Sequence, residues 1–225
     1  MTFPETEFEP GPRTWGIGRV VIDGEITPWP MSQADVDDEA AAMAPRLQAL
    51  GLPDGGLVLI VSLLSEAIHV APFEQAAGIV GARYSSADAT PFDAFRTASL
   101  VRQLHPDVVL GVDTAVLDGL AEPGRDFAEV FAPTGVVVAA DAGAYDRLAA
   151  AGLRPRRWVK LGPTSALQTL DDDALVYDPA RWQVDADPAT SELLVTNVAD
   201  RLTRCDRFPT GEHGRVETPG RITLT

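Results

Sequence analysis

Few residues of this sequence combine the type and spacing that chemistry demands. The three histidines, His69, His105 and His213, stand far apart. A histidine on its own is more often a surface or helix-end residue than a ligand or a base. Cys205 is the one cysteine and lies in Arg204-Cys205-Asp206-Arg207. Neighbouring arginines can lower a thiol pKa, yet no base stands beside it, so an inert thiol is expected. A single cysteine excludes an internal disulfide and a multi-cysteine zinc site. The run Asp171-Asp172-Asp173 is expected to be solvated, because metal cages take ligands at alternate or distant positions. Gly16-Ile17-Gly18 lacks a third glycine and precedes a strand instead of following one, so it is no dinucleotide fingerprint. G-x-S-x-G, H-E-x-x-H, C-x-x-C and G-x-x-x-x-G-K-S/T are absent. What remain are Asp88, Asp113 and Asp141 after extended segments. Doubly wound sheets form sites at such positions, although capping a helix is the commoner role.

The elements that position these residues follow from hydrophobic rhythm. Asp23-Gly24 between two apolar-rich runs is a strong hairpin signal. Ser32 or Asp35 can cap a helix whose apolar face is Val36, Ala40, Met43, Leu47 and Leu50, with Gly51 as its C′ glycine. Pro45 inside that pattern predicts a kink or a restart. Leu57–Val61 and the runs 107–112 and 135–140 are largely apolar segments, as in strands buried on both faces. A helix is expected after Pro72, ending near Gly81. Another is expected from Thr90-Pro91-Phe92-Asp93, read as N-cap, first-turn proline and acidic N3, to about Leu104. Residues 157–161 offer a further strand. After Gln168 strands follow one another without helices, with Thr218-Pro219-Gly220 as a turn. The expected fold class is α/β: a mostly parallel, doubly wound sheet with helices on both faces, then a small antiparallel β subdomain. The expected division is an arm and hairpin over 1–30, an α/β subdomain over 31–168 and a β subdomain over 169–225. Residues 1–12, rich in Pro and Glu, are expected to lie loose on the surface.

Composition narrows the function classes. With 45% hydrophobic and 23% charged residues the 225-residue chain has the make-up of an ordinary globular protein. A net charge of −15 argues against nucleic acid and against an anionic membrane surface. No apolar run approaches the roughly 20 residues of a membrane span, and the acidic start has no signal-peptide pattern. The cytoplasm is the expected compartment.

Two stretches carry a resemblance. Residues 44–55 lead into the apolar segment 57–62, and a helix ending in Ala76-Ala-Gly-Ile-Val-Gly-Ala82 is followed by Tyr84-Ser-Ser-Ala-Asp-Ala-Thr-Pro91. Further on stand Glu192-Leu-Leu-Val-Thr-Asn-Val198, Asp200-Arg201 and Arg207-Phe-Pro-Thr-Gly-Glu212. The first resembles the amino-terminal subdomain of the adenylate-forming superfamily, which includes the acyl-CoA synthetases. The second is similar to the family's segment GELVVTN…RYRTGD and leans towards the phenylacetate-CoA ligase branch. Leu161-Gly162-Pro163-Thr164-Ser165 is a weaker match to the family's YGPTE, and a plain turn explains it equally well.

The resemblance implies Gly162, Thr164, Thr210, Gly211 and Glu212 as what is left of a nucleotide site. Glu212 stands where the family's aspartate binds the ribose hydroxyls, and Pro209 replaces a basic residue. Ser165 replaces the glutamate that helps hold magnesium. The family's Ser/Thr/Gly-rich phosphate loop with its lysine would fall within 121–134, where neither the glycine run nor the lysine occurs. The sequence stops at Thr225, about where the family's hinge begins, so the catalytic lysine beyond that hinge is expected to be missing. Adenylation needs a cradled triphosphate, magnesium and a lysine on the developing charge. The expectation is therefore a catalytically incomplete, acyl-CoA synthetase-like chain with no catalytic or metal-binding residue of its own and no independent ligase activity. Such a chain suits a scaffold role beside a full-length ligase or another enzyme of one pathway, and a homo-oligomer is compatible with it. Two alternatives stay open: a small-molecule binder with a remnant ATP/AMP or acyl pocket, and an enzyme of altered chemistry using Asp88, Asp113, Asp141 or His213.

Overall fold

Asp23-Gly24 closes a hairpin because both residues take positive φ, 51° and 83°, as a type I′ turn requires. It joins β1 (Gly16–Ile22) to β2 (Glu25–Met31) in antiparallel register, Ile22 opposite Glu25. The computed structural model describes residues 13–122 and 124–225, so the expectation for residues 1–12 lies outside the described residues. Helix α1 (Gln33–Ala49) starts at a reciprocal capping box: the Ser32 hydroxyl accepts from Asp35 N, and the Asp35 carboxylate from Ser32 N. Pro45 neither ends nor restarts it, because it sits in the last turns, where Leu50 N–H still reaches the Arg46 carbonyl.

Five parallel strands form the centre: β3 (Leu57–Val61), β4 (Arg83–Ala87), β5 (Val108–Val112), β6 (Val136–Ala139) and β7 (Arg156–Leu161). They lie in the order β4-β3-β5-β6-β7. Alternate residues serve opposite faces. Val58, Ile60, Val108, Leu110 and Val138 pack with α1 and α2 (Ala67–Ile79). Leu59, Val61, Val109, Val137 and Ala139 pack under α3 (Ala94–Leu104), α4 (Thr114–Ala121), α5 (Phe127–Phe131) and α6 (Ala142–Ala150). A register shift between Leu110 and Val112 moves Val112 onto the second face. Gly111 makes that shift, with φ 96° and the Val61 carbonyl oxygen 2.3 Å from where a Cβ would stand.

From β7 the sheet turns antiparallel through β8 (Thr164–Leu167) and β9 (Leu175–Val176), then β13 (Arg221–Leu224), β12 (Phe208–Thr218), β11 (Glu192–Asn197) and β10 (Trp182–Ala186). Trp182, Tyr177, Leu193 and Ile222 fill the core of this part. Charged side chains join it to α1. Arg181 takes both Asp38 carboxylate oxygens, at 2.8 and 2.7 Å, while Trp182 Nε1 donates to Glu39 at 2.6 Å. Arg201 pairs with the same Glu39 and lies over the Trp182 ring, 4.6 Å from its centroid.

Three expectations are corrected. Helix α2 begins at Ala67, five residues before Pro72, and includes the proline. Helix α3 begins at Ala94 instead of just after Thr90. Residues 90–93 form a separate turn, in which Thr90 accepts from Asp93 N and the Asp93 carboxylate holds Asp88 N at 2.8 Å. His69 stands at a helix end, in the first turn of α2, but is buried there instead of lying at the surface, edge-on to Trp158.

Candidate functional site

In the order β4-β3-β5-β6-β7 the chain adds strands first to one side of β3 and then to the other. The carboxyl ends of β3 and β5 therefore mark the switch point where doubly wound sheets open a crevice. Ser62 follows β3, and its hydroxyl donates to Glu66 Oε2 at 2.7 Å. Glu66 Oε1 accepts from Lys160 Nζ, on β7, at 2.6 Å. Burial alone would raise the Glu66 carboxyl, but the Lys160 charge and hydrogen bond and the Ser62 hydroxyl hold it below its ordinary value. Burial lowers His69 to about 3, Lys160 adds to the depression and Glu66 offsets part of it, so the imidazole is neutral at pH 7. A cavity of about 160 Å³ lies among Arg19, Val20 and Val21 of β1, Glu66 and His69, and Lys160 with Gly162. The Arg19 Nε is buried there and has no hydrogen-bond partner among the described residues.

The aspartates after β5 and β6 serve the backbone. Asp113 accepts from Val116 N at 2.9 Å, capping α4. Asp141 accepts from Ala144 N, Thr114 N and Thr114 Oγ1, each at 2.7 Å. Burial raises Asp113, against the pull of Val116 N–H, and neighbouring Asp141 raises it further. Burial would raise Asp141 too, but its hydrogen bonds, first that from Thr114, bring it below its ordinary value. Asp88 and His213 are exposed, and His105 ends α3 in the left-handed region. In the acidic run, Asp172 accepts from Ala174 N and from Arg221, and Asp173 pairs with Arg156. No group of three or more His, Cys, Asp or Glu among the described residues is arranged to hold a metal ion. Cys205 is half-buried and its thiol is raised, chiefly by burial.

The residues singled out by resemblance come together only in part. Gly162 and Pro163 form the turn of the β7–β8 hairpin, Gly162 at φ 56°. A Cβ on Gly162 would stand 3.0 Å from the Phe208 ring, so this turn lies against the start of β12, next to Thr210. Thr164 is buried in β8, opposite Leu161. Thr210 is buried, and its hydroxyl donates to the Leu193 carbonyl at 2.7 Å while accepting from Glu212 N at 3.1 Å. Gly211, at φ 73°, donates its N–H to the Glu192 carboxylate at 3.2 Å. Burial raises the Glu212 carboxyl, partly offset by Arg157 and His213. Of these five only Gly162 borders the cavity. Thr210→Val is expected to lower stability by about 1–2 kcal/mol, because it leaves a buried carbonyl unpaired; urea unfolding measures it.

The centre of the cavity was missed in the sequence: Arg19, Glu66 and Lys160. One signal was present, since Lys160 is the sole lysine of a chain with 17 arginines. A wider open groove of about 660 Å³ lies between α3 and α5, beside Phe95 and Arg125, away from the strand ends.

No family model and no curated protein matches the sequence. Solved structures do match. A 2-hydroxyisobutyryl-CoA ligase in an open conformation, in complex with 2-HIB-AMP and CoA, superposes with TM-score 0.73 at 16% identity, over 96% of this chain and 57% of that one. ATP-bound MatB from Rhodopseudomonas palustris gives 0.63 at 14%, over 92% and 47%. The anthranilate CoA ligase AuaEII in complex with anthranoyl-AMP gives 0.62 at 13%, over 92% and 46%. The chain thus spans about half the length of these ligases, and at such identities the likeness is one of fold. Its described residues carry the fold of the adenylate-forming acyl-CoA ligases.

Proposed function

We propose that this chain is a catalytically incomplete acyl-CoA synthetase-like protein that serves as a non-catalytic partner or scaffold subunit for an acyl-activating enzyme. The observation that carries the reading is that groups at the nucleotide-motif positions are used by the chain itself. The Thr210 hydroxyl bonds Leu193 and Glu212, the Gly211 N–H bonds Glu192, and Gly162 packs under Phe208. A donor already satisfied within the fold offers little to a ligand, because exchanging one hydrogen bond for another gains almost nothing. The segment where the family's phosphate loop would lie contains α5 instead, without a lysine. Ser165 supplies no carboxylate for magnesium and is buried in β8. The net charge of −15 fits a protein partner better than nucleic acid or an anionic membrane, and no helix among the described residues is long and apolar enough to cross a membrane.

The test is to mix the chain with a full-length acyl-CoA ligase from the same cell, following complex formation by size-exclusion chromatography and the rate of thioester formation. A stoichiometric complex or a changed rate is expected. Absence of both with every acyl-activating enzyme of that cell overturns the scaffold reading.

A further inference from the structure

We propose that the cavity beneath β1 binds a small planar monoanion, held between Arg19 of the hairpin and Lys160 of β7. This site does not depend on the scaffold reading. Its walls decide the chemistry. Arg19 and Lys160 each bring a positive charge, Glu66 brings a negative one, and buried His69 is neutral. The net charge facing the cavity is one positive, which suits a monoanion. A dianion would meet the Glu66 carboxylate and, beyond the wall, the field of Asp113, which acts on the same Lys160. The Lys160 ammonium bonds Glu66 on one side and lies 5.3 Å from the Trp158 ring centroid on another, so its position is fixed before any ligand arrives.

The Arg19 Nε supplies the independent observation. It is shielded from solvent and unpaired among the described residues, a state that buried donors rarely keep without a ligand or ordered water. A guanidinium offers parallel donors that match a planar oxyanion. The volume, about 160 Å³, is that of about five waters at their share of the liquid, roughly 30 Å³ each. Val20 and Val21 of β1 also line the cavity. Acetate, propionate, bicarbonate and nitrate share the required shape and charge; sulfate has neither. An anion there would tie β1 to the carboxyl end of β7.

Thermal unfolding of the whole chain, at constant ionic strength held with chloride, tests this with sodium acetate, propionate, bicarbonate, nitrate and sulfate. A saturable rise in Tm with the planar monoanions, and none with sulfate, is expected. Arg19→Gln should weaken the apparent affinity at least tenfold, and Arg19→Lys, which keeps the charge but loses the fork, at least threefold. Arg215→Gln, on the exposed far end of β12, should leave it unchanged. If Arg19→Gln does not fold, the wild-type anion series and Arg19→Lys still decide. No saturable rise, equal rises with all anions, or a rise indifferent to Arg19→Lys overturns the proposal.

Discussion

Replacing Glu39 by alanine is expected to destabilise the protein by about 3–5 kcal/mol, the cost of leaving a buried charge without its partner. Glu39 is 8% exposed, and the Arg201 side chain that pairs with it is 6% exposed. The same carboxylate accepts from Trp182 Nε1 at 2.6 Å. Its removal leaves the indole N–H unpaired and the Arg201 guanidinium with only the longer contact to Asp38, at 3.4 Å, between α1 and the antiparallel strands. Asp38 is 41% exposed on its side chain and pairs with Arg181, itself partly open to water. Asp38→Ala is accordingly expected to cost about 1 kcal/mol or less. Urea unfolding of the two variants gives the contrast, and equal losses would show that the buried pair is not what holds α1 to the β strands.

Stability is also expected to fall as pH drops below about 6.5, through His69. Burial lowers this imidazole from its ordinary 6.5 to about 3 in the folded chain. Between those values the unfolded chain takes up a proton that the folded chain refuses. The contribution is therefore complete above 6.5 and is lost as pH falls towards 3, at about 1.4 kcal/mol per pH unit. Over the whole window this is on the order of 4–5 kcal/mol. Carboxyl groups titrate in the lower part of the same range and with both signs: Glu66 and Asp141 are lowered, Glu39 and Asp113 raised. The difference between wild type and His69→Gln isolates the histidine. From pH 7 to pH 4 the wild type should lose stability relative to the variant; parallel curves would mean that His69 titrates alike in the folded and unfolded chain.

What the sequence disclosed was local. Ser32 and Asp35, the turn at Asp23-Gly24, and Asp113 and Asp141 each act on backbone groups within three residues, and short-range capping chemistry can be read from adjacent letters. The alternation of buried strands with helices gave the doubly wound sheet for the same reason. The cavity was hidden because its parts meet across the fold: Glu66 and Lys160 are 94 positions apart. The Glu39 cluster was hidden likewise, its partners lying 143 and 162 positions away. His69 was misread because α2 is apolar nearly all round, so no polar face told which side of the helix it occupies. Strand β8 escaped notice because all four of its residues are buried, which leaves no alternation to read. The turn at Gly162-Pro163 was legible as a turn, whereas the packing of Phe208 on it, from a strand 46 positions later, was not.

On the proposed reading the chain has the fold of the acyl-CoA ligases while its nucleotide-motif positions serve that fold alone. Isothermal titration of the whole chain with magnesium-ATP, with AMP and with a stable acyl-adenylate mimic tests it most directly. No heat beyond dilution is expected for any of the three. Micromolar binding of a nucleotide, weakened by Glu212→Ala, would contradict it and show that the adenylate site still works.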